Sequence, residues 1–296
     1  PHVSLASSPV HIGSDLRFRS IEVGGSMACG LTTMFDVYCW GSGYAGALGN
    51  GLNLDQVEPV RVEGGQLWKQ VTVGGARACA IDADDRGWCW GHNSYGGLGS
   101  PRERCVAYPG EDTTTSFPVY CSAVPVEVSG NHRFKQLSAG NVATCGITTA
   151  QKLYCWGSNL NGVLGTFDAS LELPAAHPEP LPVSPDKSFQ QVVMSDAHAC
   201  AIDIAGAAWC WGHGFTGQLG LGGPPADQCQ NGTCARDPAP VAGGLTFKSI
   251  APAGPHTCGL TTDDVAYCWG WGESGALGTG ALTDRWAPAR VVFQPQ

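Results

Sequence analysis

Positive charge is scarce in this chain of 296 residues, with 16 Lys and Arg against 25 Asp and Glu and a formal net charge of −9. It has no basic run, and phosphate binding needs clustered Lys and Arg, so nucleic acid is not expected as a partner. No apolar stretch approaches the roughly 20 residues of a membrane-spanning helix. Any tie to a membrane would run through an envelope-bound partner or a lost anchor. The opening Pro1-His2-Val3-Ser4-Leu5-Ala6-Ser7-Ser8 has neither the basic start nor the apolar core of a signal peptide. Cys-x-x-Cys knuckles and Cys/His clusters are absent, which argues against structural zinc. No convergent acid/base set is present either. The expectation is a non-enzymatic protein with no catalytic residue, no metal and no cofactor.

What the chain does have is cysteine, 14 of them, and a repeated unit that holds ten. The unit runs Cys29–Cys39, Cys79–Cys89, Cys145–Cys155, Cys200–Cys210 and Cys258–Cys268, each time followed by Trp-Gly: Trp40-Gly41, Trp90-Gly91, Trp156-Gly157, Trp211-Gly212 and Trp269-Gly270. Leu-Gly turns follow at Leu48-Gly49, Leu98-Gly99, Leu164-Gly165, Leu219-Gly220 and Leu277-Gly278. Runs rich in Leu, Val, Tyr, Cys and Trp around a polar tip read as a β-hairpin. If Cys29 faces Cys39 across an antiparallel pair, Leu31 and Val37 share that side. Tyr38 and Trp40 take the other, because the side-chain period of a strand is two. Both faces are then apolar and both need cover. Opposed cysteines lie within disulfide reach, which gives one disulfide per hairpin. The remaining four pair locally as Cys105–Cys121 and Cys229–Cys234. An even count without leftover points to an oxidising compartment, hence an exported protein, periplasmic or extracellular.

Each hairpin is preceded by an alternating strand, the first at Leu16 to Gly25, and followed by a Pro-Val strand such as Pro59-Val60 or Pro240-Val241. Four strands in about 50 residues, apolar on both faces and repeated in tandem, are what a β-propeller blade requires. The expectation is an all-β propeller of tandem four-stranded blades, one domain over 1–296 with hairpins centred on 29–39, 79–89, 145–155, 200–210 and 258–268. First cysteines are spaced 50, 66, 55 and 58 residues apart. The variation falls between the Leu-Gly turn and the Pro-Val strand, as insertions over 100–123, 166–181 and 221–239. Equivalent loops emerge on one side of a rotational repeat, so that side is the expected functional face.

The pattern Cys-Gly-Leu-Thr, Tyr-Cys-Trp-Gly, Gly-Ala-Leu-Gly and Pro-Val-x-Val resembles the repeat of the regulator of chromosome condensation family over roughly residues 9–292. More narrowly it resembles an exported bacterial branch with paired cysteines. The resemblance implies a propeller, usually of seven blades, whereas five repeats are counted here. Pro9-Val10-His11-Ile12 is a sixth Pro-Val strand, expected to seal the ring where the ends meet. The founding member is a nucleotide-exchange factor on chromatin, a role unsuited to a chain with disulfides and no basic tail. The similar propeller inhibitors of secreted β-lactamase bind their enzyme with loops on one face, which fits the inferred compartment. Fold resemblance does not by itself carry function. The expected function is protein binding through the insertion-loop face, as an accessory or structural subunit of an envelope or extracellular assembly. An inhibitor of a secreted enzyme and a glycan-binding module are the alternatives.

Three local patterns invite chemistry. Ser195-Asp196-Ala197-His198 holds triad residue types, but triad members converge from separate segments, and a structural histidine bonding a neighbouring blade is the reading favoured. Asp82-Ala83-Asp84-Asp85-Arg86-Gly87 starts like a calcium loop, but Arg86 takes the fifth position and no glutamate closes it. Asn231-Gly232-Thr233 is a glycosylation sequon. Of ten tryptophans, five are the core Trp-Gly residues, and Trp88 and Trp209 share the position of Tyr38, Tyr154 and Tyr267. Trp68, Trp271 and Trp286 are left as candidates for exposed anchors, since Trp and Arg are enriched at interface hot spots. The candidate partner-binding residues are Tyr44, Tyr95, Glu103, Tyr108, Glu111, Asp112, Trp271 and Trp286.

Overall fold

The computed structural model describes residues 11–12, 15–105, 119–166, 176–229 and 232–292. Within them the chain forms five antiparallel sheets, one per repeat. Blade 1 holds Phe18–Gly24, Met27–Thr32, Val37–Gly41 and Gln56–Arg61. Blade 2 holds Trp68–Val73, Arg77–Asp82, Gly87–His92 and Val119–Glu127, and blade 3 holds Phe134–Ala139, Ala143–Thr148, Leu153–Ser158 and Ala176–Val183. Blade 4 holds Phe189–Met194, His198–Asp203, Ala208–His213 and Gly232–Pro240, and blade 5 holds Phe247–Ala253, His256–Thr261, Ala266–Gly270 and Arg285–Arg290. Blades 2 and 4 depart from the four-stranded expectation. Their disulfide-closed insertions fold back and add a fifth short strand, Arg104–Cys105 and Asp227–Cys229. The insertions are therefore partly sheet.

The hairpin register follows from the side-chain period. Cys29 pairs with Cys39 and Leu31 with Val37, and all five hairpins repeat this. Cα atoms of the five hairpin pairs lie 4.0–4.1 Å apart, and all seven disulfides are formed, Cys105–Cys121 and Cys229–Cys234 included.

Blades stack through unlike faces. The Trp face of one blade covers the disulfide face of the blade before it, and among the described residues extensive packing joins consecutive blades only. Trp90, Trp156, Trp211 and Trp269 are fully buried, each lying on the Leu-Gly turn of the preceding blade. The fit leaves no room for a side chain on that glycine. A Cβ at Gly165, whose φ is +67°, would sit 2.7 Å from Trp211 Nε1. In three junctions the indole also donates across it, Trp156 to Gly97 O, Trp211 to Val163 O and Trp269 to Gln218 O, at 2.8–3.0 Å. Glutamines clasp the inner strands: Gln70 bonds both N–H and O of Leu137, Gln136 those of Val192, and Gln191 the N–H of Ile250. These clasps satisfy main-chain groups on the free edge of each inner strand.

Among the described residues the stack does not close into a ring. Ile21 and Val23 on the Trp face of blade 1 are 50% and 74% exposed, and Trp40 is only half-buried. On the other end Ala251, Ala253 and Ala266 of blade 5 are exposed. The expectation that every hairpin is covered on both faces holds for blades 2–4 and fails at the two ends. Pro9 and Val10 of the proposed sealing strand lie outside the described residues.

Candidate functional site

The insertions and the Trp-Gly turns emerge at the same end of the blades, opposite the hairpin tips. Each turn is braced by an amide or carboxylate oxygen. Asn93 Oδ1 accepts from Leu98 N–H and Asn159 Oδ1 from Leu164 N–H. In blades 1 and 5, which have Gly43 and Gly272 there, Asp55 and Asp284 reach in from the linker to accept from those glycines. The turns are thereby fixed platforms for the side chains they present.

At the junction of blades 1 and 2 those side chains converge. The His92 ring lies between Tyr44 and Tyr95, with centroids at 6.1 and 5.9 Å. Arg102 donates to Ser94 O on the same turn and stacks over Tyr120 at 4.9 Å, and Asn93 N–H donates to Tyr120 O. Glu103 lines a recess of about 190 Å³ with Asn93, Leu98, Ser100, Pro101, Cys121, Ser122 and Val126. Burial, followed by the nearby Arg77 charge, lowers the pKa of His92, so this ring is neutral at pH 7. A second aromatic point on this end is Phe215, 63% exposed and stacked on His213 at 6.4 Å.

Of the sequence candidates, Tyr44, Tyr95 and Glu103 meet at this patch, while Tyr108, Glu111 and Asp112 lie outside the described residues, as does Asn231. Trp271 and Trp286 are half-buried and belong to blade 5. Trp286 packs its main chain against the blade 4 turn, where its carbonyl accepts from Gly222 N–H. Trp68 is not exposed at all. It occupies the place held by Phe18, Phe134, Phe189 and Phe247 in the other blades, 1% accessible against Trp88 and Trp90. His92, Arg102, Tyr120 and Phe215 were not singled out from the sequence. His92 and His213 both follow Trp-Gly, and that shared position was a usable signal.

The triad-like segment is structural. His198 is fully buried, with Nδ1 on Ser195 Oγ at 2.8 Å and Nε2 on Thr257 Oγ1 of blade 5 at 2.8 Å, so both ring nitrogens are engaged. Burial, with the His213 and His256 charges behind it, pushes its pKa down to about 3. Arg77, at the matching position of blade 2, donates to Gly140 O and Ala143 O of blade 3. Asp82 is likewise saturated, accepting from Asp84 N–H, Arg86 N–H and Nε, and Trp88 Nε1. Burial would raise its pKa, but these donors more than offset that and lower it. Among the described residues no group of three His, Cys, Asp or Glu could hold a metal, and no helix is long and apolar enough to cross a membrane.

The sequence profile of the regulator of chromosome condensation (RCC1) repeat matches residues 36–81 and again residues 134–163. Those two segments match the RCC1 repeat, and the chain is similar to proteins of that family. The ultraviolet-B receptor UVR8 of Arabidopsis thaliana is 31% identical over 144 residues, covering 49% of this chain and 31% of that protein. The mitochondrial RCC1 domain-containing protein RUG3 of the same plant is 28% identical over 276 residues, or 93% of this chain and 59% of its own length. The chain thus spans less than two thirds of these relatives. Yeast RCC1 (Prp20), solved bound to Kap60, superposes with a TM-score of 0.77 at 20% identity, over 95% of this chain and 62% of that one. At that identity the likeness speaks for the RCC1 propeller fold alone.

Proposed function

We propose that this RCC1-like chain is a non-enzymatic binding platform for another protein, engaged through the insertion-loop end. The observation that carries this reading is the patch of Tyr44, His92, Tyr95, Arg102 and Tyr120 around the Glu103 recess. Aromatic rings and arginine are the side chains that dominate protein interfaces. Tyr44, His92 and Tyr95 stand on braced turns, and Arg102 and Tyr120 are tied to one of them, so little ordering entropy is lost on binding. Seven disulfides suit an exported setting, and we place the chain as an accessory or structural subunit of an envelope or extracellular assembly. In the structure it superposes on, yeast RCC1 holds Kap60, which supports a protein partner in kind but not in identity.

The test is the native mass of the untagged protein extracted gently from the cells that make it, with co-migrating proteins identified by mass spectrometry. Stoichiometric partners in a larger particle support the reading, and a free species without co-migrating partners sinks it. The clustered Tyr44, His92 and Tyr95 rings also favour a second reading, a platform for sugars. Saturable binding of soluble glycans that is lost on Tyr95→Ala would favour it over a protein partner.

A further inference from the structure

We propose, resting on the protein-binding reading above, that the partner of the insertion-loop end is basic and offers lysine and arginine side chains to the aromatic patch. Charge is divided unevenly between the two ends of the blades. The insertions over 100–123, 166–181 and 221–239 hold eight Asp and Glu against three Arg, which is more than half of the net charge of −9. Only five of the 16 Lys and Arg lie on the insertion-loop end, Arg77, Arg102, Arg104, Arg236 and Arg285. The others lie toward the hairpin tips.

Three of those five arginines are engaged within the chain. Arg77 is fully buried on two carbonyls of blade 3, Arg102 donates to Ser94 O and covers Tyr120, and Arg236 donates to Gln228 O. The carboxylates divide the other way. On the hairpin-tip end they are tied to cations, Asp36 to Arg61, Asp85 to Lys69, Asp82 and Asp84 to Arg86, and Asp264 to Lys248. On the insertion-loop end Asp55, Glu103, Asp196, Glu273 and Asp284 are exposed, and among the described residues none forms an ion pair. One end is thus neutralised from within, and the other is left with negative charge for a partner to meet. Complementary charge of this kind steers encounter and selects the partner. The patch suits a cation as well. The faces of Tyr44 and Tyr95 attract one, and the neutral His92 between them adds no opposing charge. Leu98, Pro101 and Val126 give the recess that Glu103 lines apolar walls for the aliphatic stem of a lysine.

The probe is an oligolysine of about 20 residues, titrated into the ¹⁵N-labelled full chain, with oligoglutamate as the control. The expected result is saturable shifts centred on the Tyr95, Glu103, Asp196 and Glu273 amides, with affinity falling on the order of tenfold between about 50 and 300 mM NaCl. Oligoglutamate should give none. The combined variant Glu103→Gln, Asp196→Asn and Glu273→Gln, which spares the turn-bracing Asp55 and Asp284, should bind about fivefold more weakly. Asp263→Asn at an exposed hairpin tip should bind as the parent does. Shifts centred on the hairpin tips, or none that saturate, overturn the proposal. The partner itself is tested with a benzophenone side chain in place of Tyr95 in a native extract, where oligolysine should suppress the crosslink and oligoglutamate should not. A crosslink indifferent to both polymers overturns the proposal and leaves the protein-binding reading standing. No crosslink at all sinks that reading and the proposal with it.

Discussion

Protonation of His198 is forbidden by the fold, and this makes stability depend on pH in a calculable way. In the native chain the ring is fully buried with both nitrogens bonded, and its pKa lies at about 3. In the unfolded chain it returns to about 6.5. Below 6.5 the unfolded state takes up a proton that the native state refuses, so stability falls as pH falls, and the loss ends only near pH 3. The slope is about 1.4 kcal/mol per pH unit, which amounts to about 2 kcal/mol between pH 7 and pH 5. His198→Gln removes the titrating group, while the other histidines titrate in both proteins and cancel. Urea unfolding of the two proteins at pH 7 and pH 5 should show the stability advantage of the parent shrinking by about 2 kcal/mol at the lower pH. An advantage unchanged within about 0.5 kcal/mol would refute the reasoning, since the ring would then be protonated without breaking the blade 4–5 junction.

Other outcomes follow from the same packing. Trp211→Ala should cost about 3–5 kcal/mol in thermal or urea unfolding, whereas Trp40→Ala, half-buried on an open face, should cost well under half of that. Gly165→Ala should destabilise far more than Gly65→Ala. Both glycines have positive φ, but only the first would drive a Cβ into an indole, while nothing lies within 4 Å of the second. Under mild reductant, alkylation and mass spectrometry should find Cys258–Cys268 opened before the other four hairpin disulfides. Those four are wholly inaccessible, whereas Cys258 lies half-buried on the open face. Equal protection of all five would mean that the blade 5 face is covered.

The hairpins, their register and the disulfides were legible because a period of two leaves one arrangement in which Cys29 meets Cys39 and Trp40 turns to the other face. The role of His198 was legible in kind, but its partner Thr257 lies 59 residues away and only blade stacking brings the two together. Trp68 was misread because its residue type drew attention away from its place in the repeat, where phenylalanine stands in the other blades. The added strands Arg104–Cys105 and Asp227–Cys229 carry no alternating pattern of their own, being held by a disulfide and a neighbouring strand. The proposed patch was half legible: Tyr44, Tyr95 and Glu103 stood out by type and position, while Arg102 and Tyr120 join it through the fold-back of the blade 2 insertion.

The central claim is that the insertion-loop end binds a protein, and site-specific photo-crosslinking tests it most directly. A benzophenone side chain would replace Tyr95 on that end, or Ile204 at an exposed hairpin tip on the opposite end, in the full chain within the cells that make it. The account predicts one discrete crosslinked protein from position 95 and none from position 204. Crosslinking from position 204 alone, or from neither position, would contradict it.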